Sequence, residues 1–589
     1  MLLHPTALDA ATTTGGFLLV LSIIVPVSGV LLAYVLGDRH VRLVAFAVIP
    51  LGLAIAAATL AILPQSDGPL VYLLGAWPPP LGVALRGDGL SAVMLATTAL
   101  VISAISVFAA TDFCPAAAET RAPFTFWVLL LAIWGALNTI FIGGDLFTLY
   151  VALELLTFAA VPLVSLDGRA ETLRAALRYL LFALLGSVLY LLGTALLYGL
   201  YGTLDIVLLS RRVSAEAAAL AAAALMTTGL LAKTALFPLH LWLPPAHAGA
   251  PAAASAILSG LVVKGSFFII IRLWFNVMPA LPGFAATQLL ATLGAAAIVF
   301  GSVVALRQER LKLLIAYSTL AQIGYLFLMF PLAFNASGRL ESDEALAGGL
   351  LQAVSHATAK AAMFMAVGSI YVALGHDRIT ELRGIVRARP LSFLAFALGG
   401  IALMGVPPSG ASLAKDLLLQ AAEESGQWWW AVVLQAGGMF TAAYVVLVLA
   451  HALAASDESI AVTGPALRNQ DLAALALALC SLLLGLVPWD PYLPVPFGTA
   501  SNVFGIDKLL LPALGGAVLA ILLSPWPHPL ASSTTWKALV SVVRPLRRAA
   551  VEFGGLVERG DDVIRQWPTA GISLLVVALL LAALMLAAN

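Results

Sequence analysis

The sequence predicts an all-α, polytopic membrane protein with about sixteen transmembrane helices, and three observations lead there. Hydrophobic residues make up 61% of the 589 residues and charged residues only 10%, against roughly 25% charged in soluble domains. Apolar runs recur from Gly16 to Ala588, and about 18 apolar residues suffice to cross a bilayer. Lys and Arg also fall unevenly between alternate loops. The formal net charge of zero gives no bias toward nucleic acid. Two cysteines, Cys114 and Cys480, are too few for a disulfide framework or a Cys-rich metal or cluster site. The first apolar run lacks a basic n-region and a cleavage site, so it reads as a retained span.

In order, spans are expected at 16–36, 42–63, 88–110, 122–142, 146–166, 174–200, 215–237, 252–275, 286–306, 311–331, 348–374, 391–421, 428–453, 471–488, 508–524 and 570–588. This register places twenty of the 30 Lys and Arg residues in one set of loops and helix ends, from Arg39 and Arg42 to Arg559 and Arg565. Six fall in the opposite set: Arg86, Arg211, Arg212, Arg272, Arg339 and Lys508. Four lysines lie within spans. Positive charge accumulates on the cytoplasmic side, so both termini are expected to face away from it. Residues 528–569 are too charged to span. They read either as a solvated cytoplasmic loop or as an amphipathic helix along the membrane surface, able also to pack along a neighbouring subunit.

Two spans carry proline breaks. The seventh runs through Lys233 into Phe237-Pro238-Leu239-His240 and Pro244-Pro245, and the twelfth holds Gly405-Val-Pro-Pro-Ser-Gly410 before Lys415. Proline removes a backbone donor, which a membrane tolerates only where backbone is buried in protein or lines a wet cavity. The breaks sit five spans apart. A five-span repeat, fourth to eighth and ninth to thirteenth, makes them equivalent, and an odd repeat inverts topology.

Ionisable residues within spans are functional candidates because each costs about 2.5–3.5 kcal/mol to insert. Glu154, Lys233, Lys264, Lys360 and Lys415 qualify, as does His356, four residues before Lys360 and so on its helix face. Burial lowers a lysine pKa and a carboxylate raises it, so a buried Lys beside a movable carboxylate can switch protonation. Other roles stay open: a structural ion pair for Glu154, Lys233 and Lys264, snorkelling for Lys415 beside Asp416, and local packing for Lys360. His240 and His247 flank the seventh-span break as relay groups or caps of broken backbone. Asp88 and Asp145 read as cap or turn residues. Arg174 and Arg178 fit the orientation signal alone. These charges point to movement of protons or small cations.

Three stretches resemble the antiporter-like membrane subunits of Mrp-type cation/proton antiporters, respiratory complex I and group 4 membrane hydrogenases. They are Pro238-Leu-His-Leu-Trp-Leu-Pro-Pro-Ala-His-Ala-Gly-Ala-Pro251, Leu311-Lys-Leu-Leu-Ile-Ala-Tyr-Ser-Thr-Leu-Ala-Gln-Ile-Gly-Tyr325 and Gly405-Val-Pro-Pro-Ser-Gly410. The resemblance spans roughly residues 85 to 455. Lys415 and Tyr201-Gly-Thr-Leu-Asp205 lean toward the D-type member of the Mrp antiporters, whereas the extra C-terminal spans look more like complex I or hydrogenase subunits.

The resemblance implies an ion pair of Glu154 and Lys233, a central relay at Lys264, and His356 linking it to the terminal donor or acceptor Lys415. His240, His247, Lys360 and Lys312 are secondary proton-path candidates. It divides the chain into N-terminal spans (1–121), two half-channel repeats (122–285 and 286–455), additional spans (456–527), a lateral segment (528–569) and a last anchor (570–589). The expected function is a proton-translocating, non-enzymatic subunit of a multisubunit Na+/proton antiporter in a bacterial inner membrane. Its expected partners are other membrane subunits, protons and Na+, with no nucleic acid. The alternatives are a proton-pumping subunit of a complex I-like or group 4 hydrogenase complex, and the membrane partner of an inorganic-carbon uptake system. Without cluster ligands or a nucleotide loop, no cofactor and no resident metal are expected.

Overall fold

A computed structural model describes residues 11–114, 121–279, 281, 283–335, 340–454, 468–493, 506–524 and 534–588, apart from the side chains of 506–509 and 534–543. Arg339, Lys508, Lys537 and the start of the lateral segment, 528–533, fall outside what is described.

Among the described residues, fourteen helices are long and apolar enough to cross a membrane. The other two expected spans take different forms. The twelfth divides into Pro390–Leu403 and Gly410–Glu424, and the fifteenth is the helix Ile506–Leu523. After the first two spans, Phe17–Leu36 and Val41–Ile62, comes a feature not expected from the sequence. Leu70–Leu73 and Ala84–Gly87 pair as an antiparallel hairpin, Leu70 opposite Gly87. It delivers the chain to the third span, Gly89–Asp112, whose first turn is capped by Asp88 accepting from Ser91 N. Asp145 caps the fifth span in the same way, accepting from Phe147 N and Thr148 N. Both residues satisfy amide donors that a helix start leaves orphaned.

Arginines of both charge sets expected from the sequence are held in ion pairs. On the sparse face, Arg86 pairs with Asp205 at 2.7 Å and Arg272 with Asp88 at 2.6 Å, all four buried. On the basic face, Arg310 meets Asp377 at 2.9 Å, and Arg307 meets Glu558 at 2.8 Å.

The two five-span units expected from the sequence correspond in the lengths of their third and fifth members and in a broken fourth. The first comprises Ala122–Ile142, Leu146–Val164, Ala170–Tyr201, Ala217–Thr234 and Ala252–Val277. The second comprises Gly283–Arg307, Leu311–Ala333, Asp343–Leu374, the divided twelfth span and Trp428–Leu453. The third member of each has 32 residues, the fifth has 26, and the fourth is broken. The interior sits where the units meet: the eighth, tenth and eleventh spans are 100%, 94% and 83% buried over their apolar windows, against 33% for the first span and 28% for the last. Their side chains therefore face protein rather than lipid.

At the C-terminus, Thr534–Ile564 is a 31-residue helix and not an irregular loop. It lies against its own chain. Arg547 donates to the carbonyls of Ile521 and Ser524 at the end of the fifteenth span, and Glu558 holds Arg307 of the ninth. The last span, Trp567–Ala588, then packs on the seventh and ninth.

Candidate functional site

The seventh span stops where its proline-rich sequence stops it. Ala235 turns left-handed (φ 59°), Leu236 N returns to Leu231 O, and the indole of Trp242 donates to Ala232 O at 3.1 Å. The broken helix end is thus satisfied inside the protein, as a membrane interior demands. Lys233 sits one residue before the end of the helix, with its side chain 5% exposed. Its Nζ donates to Thr157 Oγ1 at 2.7 Å and lies 3.4 Å from both Glu154 Oε1 and Leu153 O. Glu154 and Lys233 are therefore paired, but the shortest bond goes to a hydroxyl. Thr157 stands three residues from Glu154, on the same face of the fifth span. That spacing was readable in the sequence, yet the partnership was missed. Gly186 and Gly229 bring the sixth and seventh spans into backbone contact beside it. A Cβ on Gly186 would stand 2.5 Å from Gly229 O.

The eighth span places Lys264 at the centre. A π-turn, Leu258–Val262, interrupts the α-helix just before it, a local widening frequent at functional sites. Lys264 is fully buried and donates to Ser259 O, a carbonyl in that turn, at 2.6 Å. Lys264, His356 and Lys360 lie within electrostatic reach of one another, and Lys360 in turn reaches His247. Lys360 is fully buried, donates to Ser318 Oγ and stands 5.8 Å from the centre of the Tyr444 ring. It thus sits in the centre of the cluster. His247 stacks on Phe364, and both ring nitrogens of His247 and of His356 are without a protein hydrogen-bond partner. Lys312 continues the line from His247 to the basic face. It lies 5.1 Å from the Tyr371 ring centre and lines a cleft of about 600 Å3. Arg174 and Arg178, read from sequence as orientation signals only, line the same cleft.

Lys415 stands apart from that cluster. It is half-buried, beside Asp416, in a cleft of about 170 Å3 bounded by Gly405, Met439 and Pro512. What lies between is a network of neutral groups. Gln322 donates to Thr441 at 3.1 Å and to Tyr444 at 3.2 Å, Gln352 donates to Gln322 at 2.9 Å, and the Tyr325 hydroxyl meets Thr441 at 3.3 Å. The thirteenth span leaves room for both ends of this network at consecutive glycines. A Cβ on Gly437 would stand 2.2 Å from the Tyr325 hydroxyl, and one on Gly438 3.2 Å from Lys415 Nζ. Sequence reasoning missed these residues because single neutral polar groups carry no insertion cost large enough to stand out.

A protein-family profile described as NADH:quinone oxidoreductase/Mrp antiporter, transmembrane, matches residues 143–441, about half of the chain. The chain belongs to this family. It is 32% identical to the N-type NADH-quinone oxidoreductase subunit of Desulforudis audaxviator over 388 residues, 65% of this chain and 75% of that protein. It is 29% identical to the D-type Na(+)/H(+) antiporter subunit of Alkalihalophilus pseudofirmus over 380 residues, 64% and 74% of the two chains. Its fold matches a chain of the Mrp complex from a Dietzia species with a TM-score of 0.71 at 25% identity, covering 87% of this chain and 98% of that one. A chain of an archaeal membrane-bound sulfane sulfur reductase shares the fold at the same TM-score and 24% identity. Membership in the NADH:quinone oxidoreductase/Mrp antiporter family makes the protein a multi-pass membrane component of antiporter type. The matched region contains every residue of the charged row.

Proposed function

We propose that this chain is the proton-translocating subunit of a multisubunit cation/proton antiporter, relaying protons along Glu154, Lys233, Lys264, His356 with Lys360, and Lys415. The observation that carries this reading is the cluster of Lys264, His356 and Lys360 in the most buried part of the protein, centred on fully buried Lys264, with the Glu154–Lys233 pair and Lys415 on other spans of the same two units. A charge that is costly to bury and lacks a fixed carboxylate partner favours a group that gains and loses its proton over one held permanently ionised. The pair at Glu154 supplies a switch. When the carboxylate withdraws, Lys233 keeps Thr157 as a hydrogen-bond acceptor but loses its counter-charge, so its proton is released more readily. The Lys312 cleft supplies water access from the basic face, taken as cytoplasmic, with both termini opposite. Sodium exchange rests on the similarity to D-type antiporter subunits, with the sodium path assigned to a partner subunit.

A second reading, a proton-pumping subunit of a redox complex, is favoured by the 32% identity to an N-type quinone oxidoreductase subunit. Purification of the native complex separates the two, because redox subunits carry iron–sulfur or flavin absorbance and antiporter subunits do not. The relay itself is tested by Lys264→Ala in the assembled complex, assayed by pH-sensitive dye in membrane vesicles. Proton flux is expected to fall on the order of 100-fold, and wild-type flux with normal assembly would sink the relay.

A further inference from the structure

The lateral helix brings an acidic residue to the broken seventh span. Asp561, in the last turn of Thr534–Ile564, accepts a hydrogen bond from His240 Nε2 at 2.9 Å through Oδ1. Its Oδ2 accepts from the Tyr317 hydroxyl of the tenth span and from Arg565 Nε at 2.7 Å. Asp561 is 1% exposed and His240 fully buried. A cleft of about 420 Å3 on the basic face, lined by Pro244, Tyr317, Glu558, Asp561 and Arg565, reaches the carboxylate. His240 stands behind it against the Phe237 and Phe300 rings, and its Nδ1 is buried without a protein hydrogen-bond partner.

We propose that His240 and Asp561 form a proton-exchange site between the basic-face cleft and the interior at the seventh-span break. This inference rests on the proton-relay reading above. The geometry suits it because the two imidazole nitrogens have different surroundings: Nε2 meets a carboxylate at the cleft, and Nδ1 is buried without a protein partner. A proton arriving at Nδ1 makes the imidazolium, which passes the Nε2 proton to the Asp561 carboxylate. The resulting carboxylic acid loses that proton to cleft water, and the imidazole is left neutral. The reverse order carries a proton inward. Histidine suits the task because its ring has two nitrogens, so it can take a proton at one and give one up at the other. The charged and titratable groups around the pair are Tyr317 from the tenth span, Arg565, Asp562, Glu558 and Arg559 from the lateral helix and its end, and Arg307 from the ninth span. Burial alone would raise the Asp561 pKa, but the His240 and Tyr317 hydrogen bonds and the Arg565 charge hold it below the usual carboxylate range. The resting form is therefore the carboxylate. Asp561 lies 120 residues past the family-matched segment, which ends at residue 441, whereas its partners His240 and Tyr317 lie within it.

The test compares Asp561→Asn, Asp561→Glu, His240→Gln and Arg547→Ala in the assembled complex, measuring proton flux in vesicles from pH 6 to 9. Asn keeps hydrogen bonding without the exchangeable proton. Asp561→Asn and His240→Gln are expected to lower flux roughly tenfold or more and to change its pH profile. Asp561→Glu should restore it, and Arg547→Ala, which loosens the helix where it meets Ile521 and Ser524, away from the cleft, should leave it near wild type. Wild-type flux in Asp561→Asn would overturn the inference. So would an equal loss in Arg547→Ala, which would make docking the only role. Lys264→Ala, run alongside, separates failures: an inactive Lys264→Ala with an active Asp561→Asn rejects this site and leaves the relay standing.

Discussion

The two five-span repeats share the lengths of their third and fifth members and a broken fourth member but solve the same electrostatic problem differently. In the first, the fifth span presents Glu154 to Lys233, with Thr157 nearest the ammonium. In the second, the tenth span presents neutral groups at mid-membrane. Ser318 accepts from Lys360, and Gln322 and Tyr325 lead toward Lys415 through Thr441. A carboxylate strengthens a nearby cation by direct attraction and weakens it when it moves away. A hydroxyl–amide network has no net charge to move, so it can position a proton but not drive one. Under the proposed relay, the switching element belongs to the first repeat and the conducting element to the second.

The largest expected effect breaks this comparison on its charged side. Glu154→Gln removes the movable charge while keeping the shape, and proton flux in the assembled complex should fall on the order of 100-fold. A loss of only a few-fold would mean that the pair is structural. On the neutral side, Gln322→Leu leaves Gln352 and the Tyr444 and Thr441 hydroxyls without their shared partner. Each unmet buried group costs about 1–3 kcal/mol. Flux should fall about tenfold, the equivalent of about 1.4 kcal/mol on the barrier, with a lowered melting temperature in detergent. A loss equal to that of Glu154→Gln would erase the proposed division of labour. Thr157→Val sharpens the first repeat further. It deletes the bond that holds Lys233 in place, and a few-fold change in flux, about 1 kcal/mol on the barrier, is expected.

The smallest effect concerns the lateral helix, which touches both repeats through His240 and Tyr317. Because the Asp561 carboxylate has a lowered pKa, its contribution to docking is fully present above its unfolded value of about 4. That contribution is lost as the pH falls through the lower folded value. Protease protection of the lateral helix should accordingly stay flat from neutral pH to about 5 and decline only below that. A decline beginning near neutral pH would mean that a group other than Asp561 holds the helix.

Much of this was legible in the sequence, for stated physical reasons. The cost of burying charge singled out Glu154, Lys233, Lys264, His356 and Lys360, and the structure brings Glu154 to Lys233 and gathers the other three at the core. Lys415 is separated from them by the neutral network. Proline clusters marked both breaks, because a missing backbone donor cannot be hidden in a helix interior. The hairpin at Leu70–Gly87 escaped notice because its strands are four residues each, too short for a two-residue period to register among apolar spans.

By itself, the sequence determined the membrane class, the span register, the five-span repeat and the residue types available for chemistry, since these follow from hydropathy, charge asymmetry and backbone chemistry along the chain. Only the tertiary structure decided which groups meet. Asp561 finds His240 across 321 residues, and Arg272 finds Asp88 across 184. Such pairings depend on which helix faces close against one another, a matter of packing that no local pattern encodes. The bilayer fixes how the chain crosses, and packing of the two repeats and the lateral helix fixes which charges share a site.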